Sequence, residues 1–318
     1  MIGIVRSEIE AGNCRDLSVS WSGWLGEGFA CGGRVRFLLL FNQKISVEYG
    51  GRIRNATGWG DDMPSVEENK ILWEREYDWS QAGEEWSHAW GNSTMQWIHT
   101  IFSRIHSFLP TKSLLEIAPG YGRWTRFLLG MCSNYIGVDL SGACIKSCRE
   151  TFSAVPHAHF IVNDGKSLEE VPDDSIDFVF SFDSMVHCEK DVLENYLKEL
   201  ARKLKIGGRG FIHHSNMGEY LVNGELTTPN YHWRATSMTM LHFRDYCLQA
   251  GLKCVSQEKI SWGQECLNDG FSLFAKLDPD NDSRSVPTMI VENAQFNREI
   301  ANAKTMHELY NDGNRRVA

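Results

Sequence analysis

Leu114-Leu115-Glu116-Ile117-Ala118-Pro119-Gly120-Tyr121-Gly122-Arg123-Trp124-Thr125 is the stretch whose reading decides the fold. A short apolar run ends in an acidic residue, turns through glycines and enters an amphipathic segment, Trp124–Leu129. That is a buried strand, a tight turn and a helix start. Glycine lets the backbone approach a ligand that a Cβ would hold off. A helix N-terminus presents free N–H groups to the same ligand. A second strand, Tyr135–Val138, follows and ends in Gly137-Val138-Asp139, where a carboxylate can accept hydrogen bonds from both hydroxyls of a ribose.

Outward from this core, strands and helices alternate. Helices are expected at Ser141–Phe152, Asp191–Leu204 and Met240–Gly251. Strands are expected at Ser113–Ala118, His159–Val162, Ile176–Phe182, Gly210–His214, Lys253–Ile260 and Phe271–Lys276. The pattern implies a doubly wound, mostly parallel α/β sheet of seven strands, the last two forming an antiparallel edge. Residues 1–60 are glycine-rich, and Val35–Leu40 can pair with Ile45–Tyr49 in a small β-containing appendage. Residues 61–110 read as a helical cover, opened by a capping box at Ser65-Val66-Glu67-Glu68 and closed by Met95–Leu109 before Pro110. Residues 111–277 carry the sheet domain, and 278–318 a loop with a helix from Val291 to Tyr310.

A dinucleotide loop would read G-x-G-x-x-G and face a pyrophosphate. Here only Gly120-x-Gly122 is present, and the Glu116 carboxylate would repel phosphates. It suits an amino-bearing or cationic ligand, which favours S-adenosylmethionine over NAD.

These segments resemble the class I S-adenosylmethionine-dependent methyltransferases. EIAPGYGRWT is similar to the family's first motif, with Ala-Pro in place of Gly-x. GVDLS, VNDG, FVFSFDSMVH and LKIGGRGFIHH resemble the following four, in order. The flanking segments resemble a bacterial subgroup associated with glycan and secondary-metabolite pathways. The resemblance implies a Rossmann-like fold and S-adenosyl-L-methionine as cofactor. It implies that Glu116, Ala118, Gly120 and Gly122 line the methionine part, with Arg123 packing on the loop. Asp139 and Leu140 would hold the ribose, Asp164 and Gly165 the adenine, and Phe182 and Asp183 would lie under the sulfonium.

Methyl transfer asks the protein for proximity and orientation, and a hydroxyl acceptor also needs a base. Asp183, His187, His213 and His214 lie at the carboxyl ends of strands, where open α/β sheets place ligands. His187 is the preferred base, four residues beyond Asp183. Magnesium fits histidine ligands poorly, and no metal site is expected. Tyr77, Trp79 and Trp86 from the cover, and Tyr231, His232 and Arg234 after the fifth strand, are candidate acceptor contacts. The expected activity is O-methylation of a small polar acceptor, such as a sugar, glycan precursor or secondary metabolite. An N-methyltransferase for a small amine or peptide, and a catalytically silent scaffold, remain alternatives.

Composition narrows the partners. The chain has 318 residues, 42% hydrophobic and 23% charged, which excludes wholesale disorder. A net charge of -9 argues against a nucleic-acid binder working through a basic face. No apolar run reaches the roughly 18 residues of a membrane helix, so no membrane partner is expected. Nine cysteines without a CxxC, and a start lacking a secretory pattern, point to a cytoplasmic protein with free thiols. A homodimer is the default expectation.

Overall fold

The computed structural model describes residues 65–278, 280 and 285–311, and the backbone of four strands between residues 27 and 55. The chain forms two compact units, one of Met1–Asp62 with Tyr231–Trp233, the other of Met63–Asn230 with Arg234–Ala318. In the first, β1 (Glu27–Ala30), β2 (Gly33–Leu40), β3 (Lys44–Tyr49) and β4 (Arg52–Asn55) make an antiparallel meander. The expected pairing is present there, with Phe37 opposite Val47.

The second unit is built on β5 (Thr111–Ile117), β6 (Cys132–Asp139), β7 (Ala158–Val162), β8 (Ile176–Ser181) and β9 (Leu204–Ser215). A two-stranded ribbon follows, β10 (Leu221–Val222) with β11 (Glu225–Leu226). Then come β12 (Lys253–Ile260), β13 (Asp269–Ala275) and β14 (Met289–Asn293). The main sheet has eight strands in the order β14-β12-β13-β9-β8-β5-β6-β7. All neighbours are parallel except β13, which runs antiparallel to both β9 and β12.

Both faces of the central strands are covered, which is why they read as continuous apolar runs. Alternation divides them between two cores. Leu115, Ile117 and Val179 pack under the helices Lys190–Lys203 and Met240–Gln249, through Leu193, Leu197 and Phe243. Leu114, Tyr135 and Phe178 belong to the other face, with Trp97, Ile101, Trp124 and Phe296.

Eight strands replace the expected seven. Met289–Asn293 was expected as loop and helix start, yet it pairs in parallel with β12, Val291 opposite Glu258. Its first four residues are exposed, so it has no buried-strand pattern to read. The tail helix begins at Phe296, whose fully buried ring packs against Trp90 and Trp262.

The cover belongs to the same unit as the sheet. Its capping box forms as expected, with the Ser65 N–H donating to Glu68 Oε2 at 2.8 Å and the Glu68 N–H to Ser65 Oγ at 3.3 Å. Beyond it lie a π-helical turn, Leu72–Glu76, and a 3-10 segment, Glu84–Trp90. Helical backbone then runs from Ser93 to Phe108 with a π segment at Trp97–Phe102. Arg104 clamps this segment to the sheet edge and the tail helix, donating to Glu258 at 2.7 and 2.8 Å and to Glu299 at 3.1 and 3.0 Å. Among the described residues, no helix is long and apolar enough to cross a membrane.

Candidate active site

The glycine turn is wound through three left-handed residues, Ala118 (φ 58°), Gly120 (φ 58°) and Gly122 (φ 87°). A Cβ on Gly122 would stand 2.5 Å from the Phe152 ring, so glycine is required there on two counts. Ala118 bears the strain of its Cβ and is pinned by a 2.7 Å bond from its N–H to the Val138 carbonyl. The turn forms one wall of a cleft whose open space, mouth included, is about 820 Å³.

Asp139 ends β6 on the cleft wall. Its Oδ2 accepts from the Gly120 N–H at 3.0 Å and its Oδ1 from the Ser141 N–H at 2.9 Å. Burial pushes this carboxyl up to about 6, against the pull of those two N–H groups. Each oxygen retains acceptor capacity for one more donor, which suits a pair of vicinal hydroxyls. Trp124 Nε1, buried in the same wall, has no partner among the described residues. Leu140, Gly165, Phe182 and Cys188 complete the lining around that end. The residues present fit a nucleoside cofactor.

Glu116 is not on that wall. Alternation along β5 puts it on the face of Leu114, under the short helix Thr125–Leu128. It is 1% exposed, and its Oε2 accepts from Thr125 Oγ1 at 2.7 Å and from the Tyr135 hydroxyl. It ties the turn's helix to β6 and is not among the residues that line the cleft. Burial raises its carboxyl to about 7. Ionisation therefore costs stability as pH rises from the ordinary 4.5 to about 7, and the cost levels off above. Glu116→Gln, which cannot ionise, is expected to gain on the parent chain across that window. Urea denaturation at pH 5 and pH 8 checks this, and an unchanged difference between the two would contradict the burial of a titrating carboxyl.

Asp164 is also absent from that lining. Its Oδ1 accepts from the N–H groups of Lys166 (2.8 Å) and Ser167 (2.7 Å), capping its own loop. It borders a separate depression with Asn163 and Glu169, while its neighbour Gly165 lines the main cleft.

At the other end, Asp183 follows β8 in a left-handed conformation, φ 61°, uncommon for a residue with a Cβ. Its backbone N–H donates to His213 Nδ1 at 3.2 Å. Its carboxylate meets Arg123 Nη2 at 2.8 Å and Arg234 Nη2 at 3.8 Å. Burial alone would raise this carboxyl, but Arg123 and Arg234 outweigh it and hold it below the usual aspartate value. Asp183 lines the cleft as a locked anion, a poor base.

Behind it, Asp269 is fully buried between Arg234 Nε, 3.0 Å from both of its oxygens, and His213 Nε2 at 3.0 Å. Burial opposes its ionisation, but Arg234 and His213 prevail and hold it at about 2. Because His213 Nδ1 accepts a backbone N–H, its proton sits on Nε2 toward Asp269. His214 faces the other side of β9, held by Ser272 Oγ at 2.8 Å and stacked on Phe243, with burial lowering it to about 4. Neither histidine is placed as a base, and Arg234 is a buried ion-pair partner, 3% exposed, instead of an acceptor contact. Arg123 itself is sandwiched between the Trp86 and Trp124 rings, at 5.0 and 4.4 Å.

His187 ends the turn Met185–His187 on the cleft wall, its ring 6.0 Å from that of Trp73. Trp79 and Trp86 line the cleft, joined by Trp73. Trp79 stacks flat on Tyr121 of the glycine turn at 4.5 Å. Tyr77 stands behind them, donating its hydroxyl to Glu85 Oε1. Tyr231 and His232 group with the first unit instead of the unit that holds the cleft. Sequence reasoning missed Trp73, Ser87 and Asp269, which are brought in by packing of the cover and by β13, with no motif to mark them.

The family model for a methyltransferase domain matches residues 114–208. Over 115 residues the chain is 30% identical to a phosphoethanolamine N-methyltransferase of Triticum aestivum, which is 35% of this chain and 23% of that protein. The chain thus spans under a quarter of that relative's length. It is similar to a solved S-adenosylmethionine-dependent methyltransferase of Clostridium acetobutylicum at 15% identity and TM-score 0.45, covering 67% of this chain and 98% of the other. It is also similar to a TehB-like S-adenosylmethionine-dependent methyltransferase of Corynebacterium glutamicum at 18% identity and TM-score 0.43, covering 62% and 96%. Residues 114–208 thus match a methyltransferase-domain family, in line with the resemblance to the S-adenosylmethionine-dependent methyltransferases.

Proposed function

We propose that the protein transfers the methyl group of S-adenosylmethionine to a nucleophilic oxygen or nitrogen of a small acceptor. The observation that carries this reading is Asp139, a buried carboxylate with spare acceptor capacity at the mouth of a left-handed glycine turn. Bound there, the cofactor supplies an electrophilic methyl group on a sulfonium. Asp139 holds the ribose, Gly120 and Ala118 give the methionine part backbone clearance, and Leu140 and Gly165 flank the base.

The chain's own residues then orient the acceptor and take its proton. Of the ionisable groups on the wall, Asp183 is locked by two arginines and the Cys144 and Cys188 thiols are pushed far up by burial. Asp139 is committed to the ribose. His187, on the cleft wall beside Trp73, receives the acceptor's proton, and imidazole is suited to that work near neutral pH. The cover's tryptophans keep water from the transfer.

A hydroxyl acceptor needs such a base, and so does an amine that arrives protonated. An amine is the second reading, favoured by the tryptophan wall and by the N-methyltransferase activity of the wheat relative. Incubation with methyl-labelled S-adenosylmethionine and matched alcohols and amines tests the function. Label in either class supports it, and turnover of none with a cofactor-competent protein would favour the scaffold alternative.

Cofactor affinity should depend on Asp139's charge. Its carboxyl protonates below about 6, so the affinity for S-adenosylhomocysteine is expected to fall by up to about tenfold per pH unit beneath that point. Asp139→Asn should bind weakly and without that slope. A parent profile flat from pH 7.5 to 5 would remove the carboxylate from the ribose site.

A further inference from the structure

We propose that the acceptor is a cation, a small amine arriving as its ammonium ion, held against the faces of Trp73, Trp79 and Trp86 beside His187. The proposal rests on the methyltransferase reading above and narrows its acceptor class.

Ring geometry is the first argument. Trp73, Trp79 and Trp86 have centroids 5.6–6.0 Å apart in tilted and edge arrangements, and all three line the cleft. Trp73 Nε1 is spent on Asn69 Oδ1 at 3.3 Å and Trp79 Nε1 on the Trp73 carbonyl at 3.0 Å. Tyr121 stacks on one face of Trp79 and the Arg123 guanidinium lies over one face of Trp86, and such π-faces attract cations. Tyr77 packs behind, 4.9 Å from Trp79 and 5.1 Å from Trp86, with its hydroxyl given to a carboxylate. That donation enriches its ring in electrons.

Charge is the second argument. The arginines near the cleft are already committed, Arg123 to Asp183 and Arg234 to Asp269. Asp139 lines the cleft, while Glu74 and Glu85 stand behind its wall on Ser141 and Tyr77, and none of the three forms an ion pair among the described residues. Glu85 Oε2 is buried with no hydrogen-bond partner among those residues, while its Oε1 takes the Tyr77 hydroxyl. An aromatic wall whose arginine is already paired with Asp183 suits a cation and gives a neutral sugar few polar contacts. His187, 6.0 Å from Trp73, stands where it can remove the ammonium proton. The nitrogen lone pair then forms the N–C bond, and the breaking S–C bond leaves its electron pair on sulfur.

The test uses the full chain saturated with S-adenosylhomocysteine. Choline serves as a quaternary-ammonium probe, and 3,3-dimethylbutan-1-ol as its neutral carbon isostere. Choline is expected to bind at least about tenfold more tightly than the isostere. Trp73→Leu, which keeps an apolar surface, should remove that preference and leave isostere binding in place. Glu85→Gln, which still accepts from Tyr77, should weaken choline several-fold with S-adenosylhomocysteine unaffected. Equal binding of the two probes, or binding of neither by a cofactor-loaded protein, overturns the cationic acceptor alone. Failure of S-adenosylhomocysteine to bind overturns the methyltransferase reading, and this proposal with it.

Discussion

Asp269→Ala is expected to destabilise the second unit by about 3–5 kcal/mol, the usual cost of removing one member of a buried ion pair. The side chain is fully buried and is the main counter-ion of Arg234, which also approaches Asp183 at 3.8 Å. It also accepts the proton of His213, whose other nitrogen holds the Asp183 backbone in its left-handed turn. Alanine would leave a guanidinium and an imidazole without their acceptor in a site closed to water. Urea denaturation measures the loss. A cost below about 1 kcal/mol would mean that water or rearrangement replaces the carboxylate, and that the network does not hold Asp183 in place. Double replacement with Arg234→Met should recover part of the loss, because it removes the stranded charge as well.

His187→Ala is expected to lower turnover about 10²–10⁴-fold while leaving the affinity for S-adenosylhomocysteine unchanged. His187 shares the cleft wall with Asp183, which two arginines hold as an anion, and with Cys188, whose thiol burial pushes up. Added imidazole should restore part of the rate, which a purely structural histidine would not allow. Undiminished turnover removes His187 from the mechanism. A parallel loss of cofactor affinity would instead make it part of the cofactor's wall.

The central strands were legible because both of their faces are buried, so Leu114–Ile117 and Phe178–Ser181 show as apolar runs between turn signals. The capping box at Ser65 and the helix Lys190–Lys203 were legible for equally local reasons. β14 was not, because its short apolar run, Met289-Ile290-Val291, is exposed at the sheet edge and lies next to the helical pattern of the tail. Site residues divide along the same line. Asp139, Gly120 and Ala118 lie at the cleft because a strand end and a turn fix where their groups go. Glu116 shares the motif but sits one alternation step away, and period two turns it under the helix toward Tyr135. Asp164 found donors within its own loop. Arg234 and Asp269 meet only because β13 inserts between β9 and β12, a long-range pairing no local pattern encodes.

Calorimetric titration of the parent chain and of Asp139→Ala with S-adenosylhomocysteine tests the central claim most directly. The account predicts one site per chain in the parent, weakened by about 1–3 kcal/mol in the variant through loss of hydrogen bonds to a charged acceptor. Equal affinity in the two proteins, or no binding to a folded parent chain, would contradict it.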